Sequence, residues 1–533
     1  MTATVPAEHV PVPPVLTTEA SRPSAVAARV LLAASVALLL AGGLVLRLGL
    51  VGGDAIGAAD NGDAGRLYCV AHLVPDTTDR TAPGHGVAIT EYRTGGPGCS
   101  RDTAITSAGL VLQATVAVAT ALDPTPAAPD GSTRFSLEWL GAAYVALLVV
   151  GAGAAAFTAT QGRRLGRSVP ALLLVIGVPA APLLVVPWWS RFLVSSFSEA
   201  AGLVGIVWTA WGLLALALTR PTARGTRVIG LGLVAIGGIV AVTAKPGFLP
   251  VGLAAVVACL LVTVGTTPWR RRVPGVLAAV LVVGISAAPV LGGLRAQNAS
   301  YAWVNAHNLA FTAVLPEAGP SATGPLGLHP DAWGQSGQHF YLDGGRSVRD
   351  WQATVGDRSD ELRTDALRFV ARHPVVLARM VHRGLVATLR PQIPYLASAT
   401  GGARTVDGTV ADAPPVPEGS QTMGPMFVYL DGLPGRWVPP TVVALALLAG
   451  ASTLVPAARR RLPPTAVGLA RVSSLLAVTG VGVVVVAVLG DGYCELAKHV
   501  WLGSYALVLT GGVLTAAVVA TAGQSSGRNT PRW

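Results

Sequence analysis

Four separated stretches of this chain place ionisable side chains directly beside long apolar runs. They are AADNGDAGRLYC with Asp60, Asp63 and Arg66, SFSEA with Glu199, VTAKPGF with Lys245, and GDGYCELAKHVW with Asp491, Glu495, Lys498 and His499. An ionisable group held at a membrane boundary is costly unless it is solvated, paired or used. A carboxylate in such a place can accept the proton of an alcohol that is being made nucleophilic. A lysine offers a compact ammonium suited to a phosphate or a hydroxyl, where arginine offers a broader fork. Among 38 basic residues only Lys245 and Lys498 are lysine, so arginine serves wherever a generic cation suffices. The plain alternatives are snorkelling of both lysines to the interface and a solvated turn over Asp60 to Gly65.

The elements that position these residues are membrane helices. Of 533 residues, 52% are hydrophobic and only 12% charged, and the mean hydropathy is +0.57, which is not a soluble composition. Apolar runs of about 20 residues, each enough to cross a hydrocarbon core of roughly 30 Å as a helix, recur along the chain. Predicted spans lie near 30–50, 138–158, 168–187, 201–219, 228–244, 250–268, 274–294, 438–456, 467–490 and 502–522. The fold class is therefore an all-α polytopic membrane protein with about 10 transmembrane helices, in a range of 10–12. The first run is read as a retained anchor rather than a signal peptide, because a long Pro-rich leader precedes it and similar runs follow.

Charge sets the expected orientation. Arg163, Arg164 and Arg167, then Arg220, Arg224 and Arg227, then Arg270 to Arg272, then Arg459 to Arg461 form four triplets in connectors. The alternating connectors carry Arg191, Lys245 and Lys498 singly. All triplets fall on the cytoplasmic side if the apolar run Ala104 to Leu122 lies on the outer leaflet without crossing, its Thr residues and Gln113 wet. Both termini are then cytoplasmic and the protein is expected in the plasma membrane. The net charge of +11 is explained by these topology signals. No nucleic-acid partner is implied.

The resulting organisation is a disordered leader (1–29), a membrane module (30–294) with a first outer loop (51–139), an extracytoplasmic loop domain (295–437), C-terminal membrane helices (438–522) and a tail (523–533). Cys69 and Cys99, 30 residues apart in an oxidising compartment, are disulfide candidates. The cysteine spacings suggest no zinc site, and no cofactor is implied. In the second outer loop, GDRSDELRTDALRFVARHPVVLARMVHRGLVATL reads as two amphipathic helices broken at His373-Pro374. Arg363, Arg368, Arg372, Arg379 and Arg383 there are candidates for phosphate head groups, or for a merely solvated face. The terminal turn, read as a continuing helix, puts Asp491, Glu495, Lys498 and His499 on one face by their three- and four-residue spacings.

No GxSxG elbow, HExxH, Walker A loop or dinucleotide-binding context is present. Span centres nearly free of charge argue against ion-coupled transport, which places ionisable residues near the midplane. Acids gathered at one membrane face suit an enzyme that acts on a lipid-linked substrate.

NGDAGRLYC followed by a surface helix, FSLEWLGAAY, WWSRFLVSSFSEA and GDGYCELAKHVWLGSY together resemble the GT-C superfamily of polytopic glycosyltransferases, and most the actinobacterial glycan-biosynthesis hexosyltransferase group. The resemblance covers most of the chain in layout. It implies a GT-C-like architecture, a polyprenyl-phosphate sugar donor and a glycan acceptor, with a first-loop carboxylate as general base. By position that base is Asp63, with Asp60 as its neighbour. Arg66, Lys245, Lys498 and His499 would meet phosphate, and Glu199, Asp491 and Glu495 would orient sugar hydroxyls or those cations. The commonest pattern of that superfamily has two adjacent acids, whereas Asn61-Gly62 separates them here, so the choice of base stays open. The competing class is a non-catalytic lipid-linked glycan carrier or a membrane scaffold.

Overall fold

The computed structural model describes residues 23–528 apart from 54, 60–62, 77–87, 100–104, 123–127, 162–164, 221, 268–269, 342–347, 394–395, 397 and 401–428. Asp60 therefore lies outside the described residues. The chain is an all-α polytopic membrane protein. Among the described residues, eight helices are long and apolar enough to cross a bilayer: α1 (from Pro23–Leu48), α3 (Leu137–Thr160), α4 (Ser168–Val185), α5 (Glu199–Leu218), α6 (Arg224–Ala244), α8 (Val273–Ala318), α12 (Pro464–Asp491) and α13 (Trp501–Arg528). Three shorter apolar helices join them: α2 (Ser107–Leu122), α7 (Leu249–Leu261) and α11 (Val438–Ser452). Two amphipathic helices, α9 (Ser359–Arg372) and α10 (Pro374–Ala387), follow α8, and helices of one or two turns lie between the longer ones.

All ten expected spans are thus helical, but α7 and α11, at 13 and 15 residues, are shorter than a bilayer needs. At 1.5 Å per residue they cover only about 20–23 Å. At the expected boundary of 294, α8 does not end; it continues through a π-turn at Asn308–Val314 to Ala318 and joins the 295–437 loop to the membrane part. The ends also shift. The first helix begins at Pro23 rather than 30, and the last runs to Arg528, past the start expected for the tail.

The centre of the bundle is α5, of which 83% is buried against 22% for α1. Small residues explain its contact with α6. A Cβ at Gly205 would meet Ala241 N at 2.5 Å, one at Gly212 would meet Gly230 O at 2.6 Å, and one at Gly237 would meet Gly205 O at 2.6 Å. Close backbone approach of this kind is how helices associate where no hydrophobic force separates protein from lipid. Since α5 and α6 are antiparallel and of nearly equal length, the zipper sets the start of α5 beside the end of α6.

The long loops contribute short strands that the all-α reading did not anticipate. β1 (Ile56–Ala58) pairs antiparallel with β5 (Ser398–Thr400), joining the 51–139 and 295–437 loops, and β2 (Leu73–Pro75), β3 (Glu91–Thr94) and β4 (Arg134–Ser136) form a three-stranded meander. Three-residue strands carry too little alternation to register in a hydropathy reading. Two hydrophobic cores result. One fills the membrane bundle, and the other packs Phe311, Val355, Leu362, Phe369 and Met380 of the second loop around Tyr493, Leu496 and Val500 of the terminal turn.

The break at His373-Pro374 is present, with α9 ending at Arg372 and α10 beginning at Pro374. α2 lies against α3 with Ala108, Gly109, Leu112, Thr115 and Ala119 buried. Thr115 is therefore not wet as expected; it donates to Val111 O. Gln113 is exposed and donates to Val70 O at 2.9 Å.

Candidate functional site

The first loop reaches the bundle through a helical turn at Gly65–Tyr68, fastened by a disulfide between Cys69 and Cys99. Just before that turn stands Asp63. Its Oδ2 accepts from Lys498 Nζ, which comes from a one-turn helix 435 residues later, and its Oδ1 lies 2.5 Å from Arg66. Lys498 also donates to Glu495 Oε2 at 3.2 Å and sits 5.7 Å from the centroid of the Phe197 ring. Next to this group Lys245, at the end of α6, donates to Glu199, at the start of α5, at 3.0 Å. Glu199 also accepts from Ser198 Oγ at 3.3 Å. The α5–α6 zipper accounts for this pairing.

Three carboxylates (Asp63, Glu199, Glu495) and three cations (Arg66, Lys245, Lys498) thereby meet at one end of the helices. Burial by itself would raise the Asp63 carboxyl. The Lys498 and Arg66 charges and the Lys498 hydrogen bond outweigh it and hold the carboxyl well below the usual carboxylate range. Burial would likewise lower the Lys498 ammonium, but Glu495, Asp63 and Glu199 raise it above the ordinary lysine value. For Arg66, burial is outweighed by Asp63, with Tyr301 and Glu199 adding to the rise. The Arg66 guanidinium lies over the Tyr301 ring at 5.2 Å.

Asp491 and His499 are close to this group but face elsewhere. Asp491 Oδ1 accepts from Asn308 Nδ2 at 2.7 Å, and His499 Nε2 lies 3.2 Å from Asp491 Oδ2. The single shared face expected for the terminal turn does not form, because the helix stops. At Gly492 φ is +58°, and a Cβ there would collide with Asn308 O and stand 2.5 Å from Thr312 Oγ1. Glu495 is left-handed as well, at φ +48°. A non-glycine residue there costs of order 1–2 kcal/mol. The two reversals turn Lys498 toward Asp63 and His499 toward Asp491.

The turn is held from behind by a second cluster that the sequence reading did not identify. Glu317 Oε1 accepts from the Tyr493 hydroxyl at 2.8 Å and from Arg383 Nε at 2.7 Å, while Arg379 donates to Glu317 O at 3.1 Å. Arg383 reaches Asp431 at 3.1 Å, and Tyr493 N donates to Thr312 Oγ1 at 2.8 Å. Of the five loop arginines offered as head-group contacts, Arg383 thus serves a buried carboxylate, Arg379 the backbone carbonyl of the same residue, and Arg368 pairs with Asp365 at 2.6 Å. Burial, then the Glu317 charge, push the Tyr493 phenol up.

Arg191 is fully buried and donates to Ser398 Oγ at 3.1 Å and Gln392 O at 2.6 Å, fixing the β5 region on the bundle. Trp501 Nε1 donates to Trp188 O at 3.0 Å, so the WWSRFLVSSFSEA and GDGYCELAKHVWLGSY segments meet in space. His307 is a satisfied buried histidine. Trp351 Nε1 donates to its Nδ1 at 3.0 Å, which makes Nε2 the protonated nitrogen that donates to Gln338 O at 3.0 Å. The signals for these residues were isolated polar letters in apolar context, and their partners lie too far along the chain for spacing to indicate. Among the described residues no group of three or more His, Cys, Asp or Glu is arranged to hold a metal ion.

No curated protein and no solved structure matches the chain. Residues 21–529 match the family described as the YfdI N-terminal transmembrane domain, and over that span the chain belongs to this family.

Proposed function

We propose that this member of the YfdI transmembrane family is a membrane glycosyltransferase that moves a hexose from a polyprenyl-phosphate donor to an extracytoplasmic glycan or lipid-linked acceptor. The observation that carries the reading is the meeting of Asp63 with Lys498 across 435 residues, beside the Glu199–Lys245 pair, at the end of the helices opposite the arginine triplets. That end is read as extracytoplasmic, with both termini in the cytoplasm and the protein in the plasma membrane.

An acceptor hydroxyl is a poor nucleophile. In this reading its proton passes to Asp63 as its oxygen bonds to the anomeric carbon. The bond from that carbon to the phosphate oxygen breaks, and the electron pair leaves on the phosphate. A positioned base of this kind contributes about 10²–10⁴-fold. Charge developing on the leaving phosphate falls to Lys498, Lys245 and Arg66. Glu199 and Glu495 hold the two lysines in place, and Asp491 and His499 shape the terminal turn.

The test compares surface-glycan sugar composition in a strain lacking the gene, the same strain carrying the native chain, and the same strain carrying Asp63→Asn. The reading expects one hexose to be lost on deletion, restored by the native chain and not by the variant. An unchanged glycan in the deletion strain overturns it. Full rescue by Asp63→Asn removes the assigned base and favours a carrier or scaffold, which would tolerate neutralised acids.

A further inference from the structure

Both oxygens of the Asp63 carboxylate are held by cations, Oδ2 by Lys498 and Oδ1 by Arg66 at 2.5 Å. Exposure falls off inward across the three side chains, from 55% for Arg66 through 28% for Asp63 to 2% for Lys498. Asp63, with Glu495 beside it at 25% exposure, covers the buried ammonium, so an anion arriving from outside meets Lys498 by taking a carboxylate's place. A carboxylate saturated in this way is also a weak proton acceptor, since each bound cation stabilises its charged form. Lys498 keeps a second acid, Glu495 at 3.2 Å, so its charge stays compensated during an exchange.

We infer that the site works by anion exchange: the phosphate of a lipid-linked head group displaces the Asp63 carboxylate from Lys498, and this displacement frees Asp63 to act as base. The identity of the phosphate as a polyprenyl phosphate rests on the transferase reading. The exchange makes binding ordered, with donor phosphate first and acceptor second. Without donor, Asp63 remains locked, which protects the site from idle proton transfer. Asp63 is thus both the competitor that weakens phosphate binding and the group that phosphate binding switches on.

The exchange is tested by the binding of a sugar-free polyprenyl monophosphate to the full-length protein in lipid nanodiscs. Parallel arms with inorganic phosphate and with phosphatidic acid separate the phosphate group from the lipid. Removing a charge-assisted competitor from Lys498 is expected to tighten polyprenyl-phosphate binding about tenfold in Asp63→Asn. Lys498→Gln should weaken binding, and in the Asp63→Asn/Lys498→Gln double variant the gain should vanish. Glu495→Gln, which removes the other acid on the same ammonium, should give a smaller gain and serves if Asp63→Asn fails to fold. Binding that is unchanged or weaker in the single acid variants overturns the exchange. So does a gain that persists without Lys498, because general relief of repulsion would then explain it. Tighter binding through Lys498 with an unaltered glycan on gene deletion would retain the exchange and reject the transferase. Loss of the sugar on deletion with no tightening would do the reverse.

Discussion

Two ion-paired carboxylates, one buried and one partly exposed, stand on opposite sides of the same turn, and their surroundings differ in kind. Glu317, 7% exposed, is bound by a tyrosine hydroxyl, by one arm of an arginine fork and, through its carbonyl, by a second arginine. Its donors come from α10 and the terminal turn, and they close it off. Asp63 is bound by a lysine that two acids share and by a largely exposed arginine. The first arrangement has the mark of a clamp, in which a planar guanidinium and a neutral phenol fit one carboxylate in one geometry. In the second, a point charge is held by interchangeable partners, and another anion can replace one of them. Ion pairing alone would have ranked the two sites as equals; the nature of the donors and the exposure of Asp63 separate them.

The comparison is broken most severely through activity. Asp63→Asn is expected to lower sugar transfer by about 10²–10⁴-fold while the purified variant still unfolds cooperatively, since Lys498 keeps Glu495. Next in size, Glu317→Ala leaves Arg383 with only the exposed Asp431 as its acid and leaves the Tyr493 hydroxyl without its acceptor, and should cost about 3 kcal/mol of stability, read as a lowered unfolding temperature in detergent. Tyr493→Phe removes one hydrogen bond and leaves the Glu317–Arg383 pair, so a loss of about 1 kcal/mol is expected.

The smallest effect concerns pH. The Asp63 carboxyl is lowered, so its contribution to stability is complete above the ordinary aspartate value and is lost as pH falls through the lowered one. The Lys498 ammonium is raised, so its contribution is complete below the ordinary lysine value and is lost as pH rises through the raised one. Between about pH 5 and 9 neither group changes protonation, and the difference in unfolding temperature between the native chain and Asp63→Asn should stay constant. A difference that shrinks toward pH 6 would mean that another group compensates the lysine.

What was legible in the sequence followed from local rules. Among the described residues hydropathy located every apolar helix, and proline placed the break between α9 and α10. The scarcity of lysine singled out both residues that now prove to be paired with acids, and of the expected site residues the described ones do reach one end of the bundle. The rest depends on contacts between distant parts of the chain. Nothing in GDGYCELAKHVW announces that Gly492 is pressed against Asn308 and Thr312, so the turn read as a helix and its four charges as one face. Glu317 and Tyr493 looked like ordinary letters in a loop and a turn because their meeting depends on the extension of α8 past the expected end of its span. Strands of three residues left no periodic trace.

The central claim, that the Asp63 side of the turn performs chemistry and the Glu317 side only holds it, is tested most directly by one measurement. Surface-glycan hexose is quantified in the gene-deletion strain expressing Asp63→Asn or Glu317→Gln, each normalised to the amount of folded protein in the membrane. The account predicts that Asp63→Asn leaves the glycan as the deletion does, whereas Glu317→Gln restores the hexose in proportion to its folded protein. Equal activity per folded molecule in the two variants would contradict it.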